Sequence, residues 1–446
     1  MTGLNRINVF SRFPRAGKAK TRLIPSMGAE AAAQLQRDMS GRTLLCARVA
    51  ALQHAADLVV HYNGGSETDM QHWLGRGTRY ETVTSADLGE SMLASFRLAA
   101  TEGCQQTLTI GSDCPSMSPN ILSDAFAALE ENDVVLGPAS DGGYVLIGMK
   151  TPHPALFDGP AWGESTVLAQ TREIAAGLGL RVHELPEQDD VDEEADLENW
   201  YALRAPQDKL DLKQISVIIP TRNEADRIEE RVAALSSVAH EVIVVDGCSD
   251  DDTAAVARAA GAHVICAAGS RAQLLNAGAW AASGDVLLFL HADTDVPSTF
   301  PGDIADVLLK PRTIAGAFRF AIADSAPKYR LVTSVTNLRA RLLQLPYGDQ
   351  GLFLTRSQFH ELGGFADMPI MEDYELVLRL RKHGSVTLAN AAASTSARRW
   401  KTLGLLRTMA INQRMLWHFH RGVPPAQLAS LYARDEGIPI TPIDQR

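Results

Sequence analysis

The chain has 446 residues, 46% of them hydrophobic and 21% charged, and a formal net charge of −11. That length is too great for one ordinary core and calls for two or three domains. The composition is that of a globular protein, and the acidic balance excludes indiscriminate nucleic-acid binding. Five widely spaced cysteines (Cys46, Cys104, Cys114, Cys248, Cys266) include no C-x-x-C pair. They predict free thiols in a reducing compartment rather than a disulfide or zinc framework. The first residues lack the apolar segment of a secretory signal, and no apolar run approaches the roughly 20 residues of a membrane span. The expectation is a cytoplasmic protein.

The first predicted strand is Ile7–Phe10, followed by a basic loop in which Arg12, Arg15, Lys18, Lys20 and Arg22 surround Gly17. Cations on a flexible turn before a helix suit a polyphosphate. The loop is not a Walker A motif, because Arg12 stands where its first glycine would be and Ala19 follows Lys18. Further buried-type strands are expected at Leu58–His61, Leu108–Ile110 and Val134–Leu136. Asp113, in Gly111-Ser-Asp-Cys-Pro115, follows the second of these and is placed to hold a metal ion. Gly142 and Gly143 would let a ligand approach the backbone. The acidic run 189–197 reads either as a solvated helix start or as the source of Asp190 or Asp192, completing a site with Asp113.

Segment 203–213 is polar, contains Pro206 and is the expected linker between α/β domains at about 1–205 and 213–446. The second half repeats the plan with strands at Ile215–Ile219, Glu241–Val245, Ala262–Cys266 and Asp285–Leu290. Apolar strands alternating with helices predict a mainly parallel sheet covered on both faces. Ligands in such sheets sit beyond the carboxyl ends of the strands, where four polar groups fall. Thr221 and Glu224 follow the first strand, and Asp246 closes the second, where a carboxylate can accept hydrogen bonds from a base or ribose. Asp293 and Asp295 follow the most apolar strand, and hard oxygen donors there suit Mg²⁺ or Mn²⁺. Met371-Glu-Asp-Tyr-Glu-Leu376 opens a helix in which one carboxylate could serve as a general base toward an acceptor hydroxyl. Taken singly, each also reads as a solvated cap or a complement to a helix dipole.

The tail 397–421 sets Arg398, Arg399, Lys401, Arg407, Arg414 and Arg421 among Trp400, Leu403, Leu406, Leu416 and Trp417 at helical spacing. The expectation is packing on its own domain, with peripheral contact to an anionic membrane as the alternative.

Taken together, the motifs over about 215–400 resemble the inverting family 2 glycosyltransferases of the GT-A fold. They resemble in particular the subgroup called radical-SAM/selenodomain-associated transferase 2, through Gly269-Ser-Arg-Ala-Gln-Leu-Leu-Asn-Ala-Gly278 and Tyr347-Gly-Asp-Gln-Gly-Leu-Phe353. The resemblance implies that Thr221, Glu224 and Asp246 hold the nucleoside and that Arg271 approaches the base or phosphates. It further implies that Asp293 binds the diphosphate metal, with Asp295 as a weaker second ligand, and that Asp373 is the catalytic base. His291 departs from the Asp that many members carry; it suits Mn²⁺ better than Mg²⁺. The motifs over about 5–200 (Lys20-Thr-Arg-Leu23, Gly111–Pro115, Gly137–Tyr144, Trp162-Gly163 and Asp190-Val-Asp192) resemble the companion transferase 1 family and, more distantly, cofactor guanylyltransferases. Arg12 stands where that family often has Lys. The resemblance implies a nucleotide site using Lys18, Lys20, Arg22 and Gly143, with Asp113 and Asp192 on a metal.

The expected protein is thus α/β, with two Rossmann-like GT-A-type nucleotide-diphospho-sugar-transferase domains in tandem. Its expected partners are a nucleotide-sugar donor and an unidentified acceptor, not nucleic acid. Two alternatives stay open: a nucleotidyltransferase with its chemistry in the first half, and a non-catalytic nucleotide-binding scaffold.

Overall fold

The computed structural model describes residues 5–203, 211–324 and 326–436. Residues 204–210 of the expected linker lie outside them. The chain divides into two compact units, Met1–Lys209 with His360–Gly364, and Leu210–Phe359 with Phe365–Arg446.

The first unit is built on β1 (Asn5–Arg12), β2 (Ala56–Asn63), β3 (Arg79–Thr82), β4 (Gln106–Gly111), β5 (Val134–Pro138), β6 (Tyr144–Met149) and β7 (Val182–Glu184), in the order β3-β2-β1-β4-β6-β5-β7. Strands β3, β2, β1 and β4 run parallel, while β6 is antiparallel to both its neighbours. The second unit has β8 (Ile215–Thr221), β9 (Glu241–Asp246), β10 (His263–Cys266), β11 (Val286–Phe289), β12 (Thr294–Asp295), β13 (Thr313–Ile322), β14 (Leu352–Thr355) and β15 (Ser385–Thr395), ordered β10-β9-β8-β11-β14-β13-β15-β12. Its first four strands in that order are parallel, and β14 is antiparallel to β11 and β13. Apart from β12, the two orders are the same. Both sheets are mainly parallel, as the sequence predicted, with β6 in the first and β14 and the short β12 in the second running against the rest. An apolar run buried on both faces carries no mark of its direction.

Burial explains the strands. Ile215, Val217, Ile218 and Ile219 of β8 are fully buried, as are Val244 and Val245 of β9 and Val286, Leu287 and Leu288 of β11. Ile215, Val217 and Ile219 share one core cluster with Val242, Val244, Leu288 and Phe353. The parallel strands thus end their apolar stretches together, and the next residues of β8, β9 and β11 emerge at a common sheet end. Local signals set two site residues. The Ser270 capping box with Gln273 makes Arg271 the first residue of helix Arg271–Ala281. Met371, at φ 70°, turns the chain so that Glu372 and Asp373 open helix Glu372–Leu380.

Candidate functional sites

In the first unit Lys20 sits at φ 43°, an uncommon conformation for a residue with a side chain. Its ammonium is nearly buried and donates to Asp113 Oδ2 at 3.1 Å and Asp192 Oδ1 at 2.6 Å; Arg22 lies 3.4 Å from Asp192 Oδ2. Burial works against the ammonium charge, but the two carboxylates outweigh it and hold the Lys20 pKa above its ordinary value. The three motifs, spread over more than 170 residues, line one cavity of about 590 Å³ together with Arg12, His61, Asp141, Gly143, Trp162, Glu164 and Asp190. His61 stacks on Phe10 at 4.9 Å between centroids. Burial, then Arg6 and Arg79, bring its pKa down to about 4, so it is a neutral ring at pH 7.

Lys18 is exposed and is not among the residues lining the cavity. One expectation is corrected here. Gly142 serves packing rather than ligand approach, since it stands at φ +88° and a Cβ there would come 2.0 Å from the Ser165 carbonyl oxygen. Gly143 does line the cavity.

Asp190 carries the electrostatic strain of this cavity. Burial first, then Asp113, Asp141 and Asp192, push its carboxyl up to about 6, against the partial relief of Lys20. Because the folded pKa exceeds the unfolded one, Asp190 favours folding only while protonated, and that contribution is lost as pH rises from about 4 through 6. Asp190→Asn is therefore expected to raise the melting temperature at pH 7 to 8, with the gain vanishing near pH 4. A melting temperature unchanged at pH 8 would contradict this electrostatic account.

In the second unit Asp246 and Thr221, both buried, meet at 3.5 Å. The Asp246 carboxylate also accepts from the Ser249 hydroxyl and, at 2.9 Å, from the Ser249 amide, an arrangement that needs the positive φ of Cys248. Asn223, at φ 56°, accepts from the Asp250 amide at 2.8 Å. The loops after β8 and β9 are thereby tied into one rim.

Glu224 and Asp293 share a cation that the tail supplies. Arg398 lies 3.5 Å from Glu224 Oε1 and 3.9 Å from Asp293 Oδ2. Asp293 lines a cavity of about 440 Å³ with Arg227, Arg231, Arg398 and Lys401. Asp295, on the edge strand β12, lines the same cavity; it is largely exposed and ion-paired with Arg231.

Asp373 lies in a second cluster. Its Oδ2 accepts from the Gly348 amide at 2.5 Å and its Oδ1 from its own helix at the Tyr374 amide, 2.7 Å. A Cβ on Gly348 would meet Asp373 Oδ2 at 2.8 Å and both Arg271 and His291 at 3.2 Å, so these three side chains converge on a point that only glycine leaves open. Arg271 bonds His291 Nε2 and pairs with Glu372 at 3.1 Å, beside Asp373 rather than beside Asp246. Burial, then the Arg271 charge, drive His291 far below the imidazole range. Burial pushes Glu372 up, opposed by Arg271 and reinforced by Asp373. Asp373 is not among the residues lining the Asp293 cavity.

Among the described residues no three metal-ligating side chains are pre-assembled. The donor chemistry still fits a hard cation at each place. Asp293 is part-exposed, oxygen-bearing and faces a cation-rich cavity, as for an ion sharing one carboxylate with ligand phosphates and water. Around Asp113 and Asp192, the carboxylates of Asp141 and Asp190 also line the cavity, with Lys20, Arg22 and Arg12 as its cations. His291 does not fit as a ligand through Nε2, which Arg271 engages. The sequence pointed to Asp373, Asp293 and Lys20, but not to the role of Arg398 or to Asp141. Arg398 lies over 100 residues from its partners in a stretch read for its amphipathicity, and Asp141 read as part of a turn.

Residues 46–164 match the family described as "Uncharacterized protein conserved in bacteria (DUF2064)", and residues 216–366 match Glycosyl transferase family 2. A protein of Desulfovibrio desulfuricans G20 described as a nucleotide-diphospho-sugar transferase is 34% identical, with 45% of this chain covering 87% of that one and a TM-score of 0.42. An undecaprenyl-phosphate 4-deoxy-4-formamido-L-arabinose transferase of Sodalis glossinidius (strain morsitans) is 28% identical over 163 residues, 33% of this chain and 50% of its own. An uncharacterized glycosyltransferase of Rickettsia bellii (strain RML369-C) is 47% identical over 53 residues, 12% of this chain and 18% of its own. The chain thus spans half the length, or less, of these two curated relatives. No helix among the described residues is long and apolar enough to cross a membrane. The chain thus joins a region of the DUF2064 family to a region of glycosyl transferase family 2, on two α/β units of like strand order.

Proposed function

We propose that the domain at about 213–446 transfers a sugar from a nucleotide-diphosphate donor to a hydroxyl acceptor with inversion, and that the domain at about 1–205 is a second nucleotide-binding transferase. The observation that carries this reading is the convergence of Asp373, Arg271 and His291 on Gly348, at a sheet end whose neighbouring loop presents Asp293 to a cationic cavity. Asp373, oriented by two backbone amides, takes the acceptor proton. Buried Glu372 pairs with the part-exposed Arg271 and holds its helix start in place. Thr221, Glu224 and Asp246 shape the nucleoside end, and Arg227, Arg231, Arg398 and Lys401 draw the diphosphate to the cavity. Asp293 would hold Mg²⁺ or Mn²⁺ there, an ion that offsets charge on a leaving diphosphate. In the first domain Lys20 and Arg22 would face nucleotide phosphates, with Asp113 and Asp192 holding the same kind of ion.

The tail fits packing on its own domain. Trp400 packs against the cluster of Phe320 and Tyr329, Phe419 against Tyr374, and Asp435 accepts from both Arg407 and Arg414. The side chains of Arg399 and Leu406 lie outside the described residues. We place the protein in the cytoplasm, in keeping with its free thiols.

Incubating the full-length chain with Mn²⁺ and a panel of nucleotide sugars is expected to release a nucleoside diphosphate, slowly without acceptor. Release of pyrophosphate from a nucleoside triphosphate, with no nucleotide sugar consumed, would instead place the main chemistry in the first domain. Metal-independent binding without turnover of either would favour a scaffold.

A further inference from the structure

Helix Pro327–Leu343 lies outside every site described above. Its inner face packs through Tyr329, Val332 and Ala340, and Arg339 is turned inward over the Tyr347 ring at 3.6 Å. Its outer face carries Leu331, Val335, Leu338, Leu342 and Leu343, each between 48% and 70% exposed. At 100° per residue the first four fall within about 60° of one another, a narrow apolar stripe along a helix about 25 Å long. The exposed cations flank it, Lys328 on one side and Arg330 and Arg341 on the other. The helix has no acidic residue, in a chain whose net charge is −11.

We propose that this helix is a docking surface for an anionic lipid bilayer, lying in the plane of the membrane with Leu331, Val335, Leu338 and Leu342 at the headgroup–acyl boundary and its cations on the headgroups. An apolar stripe bordered by cations is the pattern of an interfacial helix. A monomeric surface rarely exposes so contiguous a patch without a partner. Self-pairing is the competing use, since the 4-3-4 spacing is that of a coiled-coil seam. It fits less well: the seam runs for only about one and a half heptads, and the helix offers no carboxylate to meet its own cations in a second copy.

The test is co-sedimentation of the full-length protein with vesicles at physiological ionic strength. Binding to phosphatidylglycerol-containing vesicles is expected to exceed binding to pure phosphatidylcholine by about tenfold or more. The Leu338→Ser/Leu342→Ser variant should lose about tenfold or more of that binding, with an unchanged circular dichroism melt because both side chains are exposed. Lys328→Gln/Arg330→Gln/Arg341→Gln should remove the preference for the anionic lipid, and serves on its own if the leucine variant misfolds. A wild type that ignores anionic vesicles would overturn the proposal. So would variants that bind as the wild type does, or a dimer in light scattering that the leucine substitutions dissolve. Nucleotide-sugar binding measured without vesicles should be the same in all three proteins, so failure here leaves the site reading untouched.

Discussion

Asp373→Asn is expected to lower sugar transfer by about 10²- to 10⁴-fold, the usual contribution of a general base, while nucleotide-diphosphate binding stays near that of the wild type. The substitution is close to isosteric. The carboxamide can still accept from the Gly348 amide through its carbonyl oxygen, at the loss of the bond that Oδ1 accepts from the Tyr374 amide, and it cannot take a proton at pH 7. Nothing else in the cluster needs the charge to hold its shape, because Arg271 is paired with Glu372 and bonded to His291. The effect should therefore fall on turnover with little change in the Michaelis constant for the donor. Full turnover in the variant would remove Asp373 from the chemistry. Loss of donor binding together with turnover would make it a structural residue of the cluster instead.

The second large effect is expected at Asp293. Asp293→Asn should lower transfer by about 10²-fold, roughly 3 kcal/mol of transition-state stabilisation, and raise the Mn²⁺ or Mg²⁺ concentration needed for half-maximal rate. The control is its neighbour. Asp295 is paired to Arg231 on an exposed edge, so Asp295→Asn should leave the metal dependence in place. Steady-state rates across a metal titration read both variants. Equal metal dependence in Asp293→Asn and wild type, or activity that survives chelation, would rule Asp293 out as the ligand.

Much of this was legible in the sequence because local rules act on it. The apolar runs at Ile215–Ile219, Glu241–Val245 and Asp285–Leu290 fixed three parallel strands, and the residues after them fixed what stands at the sheet end. Strand direction was not legible for β6 and β14, because burial on both faces erases the alternation that would mark a strand's role. The partners of a named residue were not legible even where the chain brings them near, as with Asp246 and Ser249. Arg398 on Glu224 and Asp293, and Asp295 on Arg231, are choices between competing cations decided in three dimensions. Gly142 shows the opposite hazard: the sequence signalled a special backbone position correctly, but the reason for it was the Ser165 carbonyl and not a ligand.

Lys20 on Asp113 and Arg398 on Asp293 amount to one arrangement, used twice on sheets of the same strand order. At each place the protein supplies its own counterion to the carboxylate that follows the fourth parallel strand. A divalent ion bound there would exchange with a tethered side chain rather than fill a bare charge, so the ion alone would gain little. A diphosphate gives the displaced Lys or Arg a new anion to hold, and the two ligands should consequently load in concert, each strengthening the grip on the other.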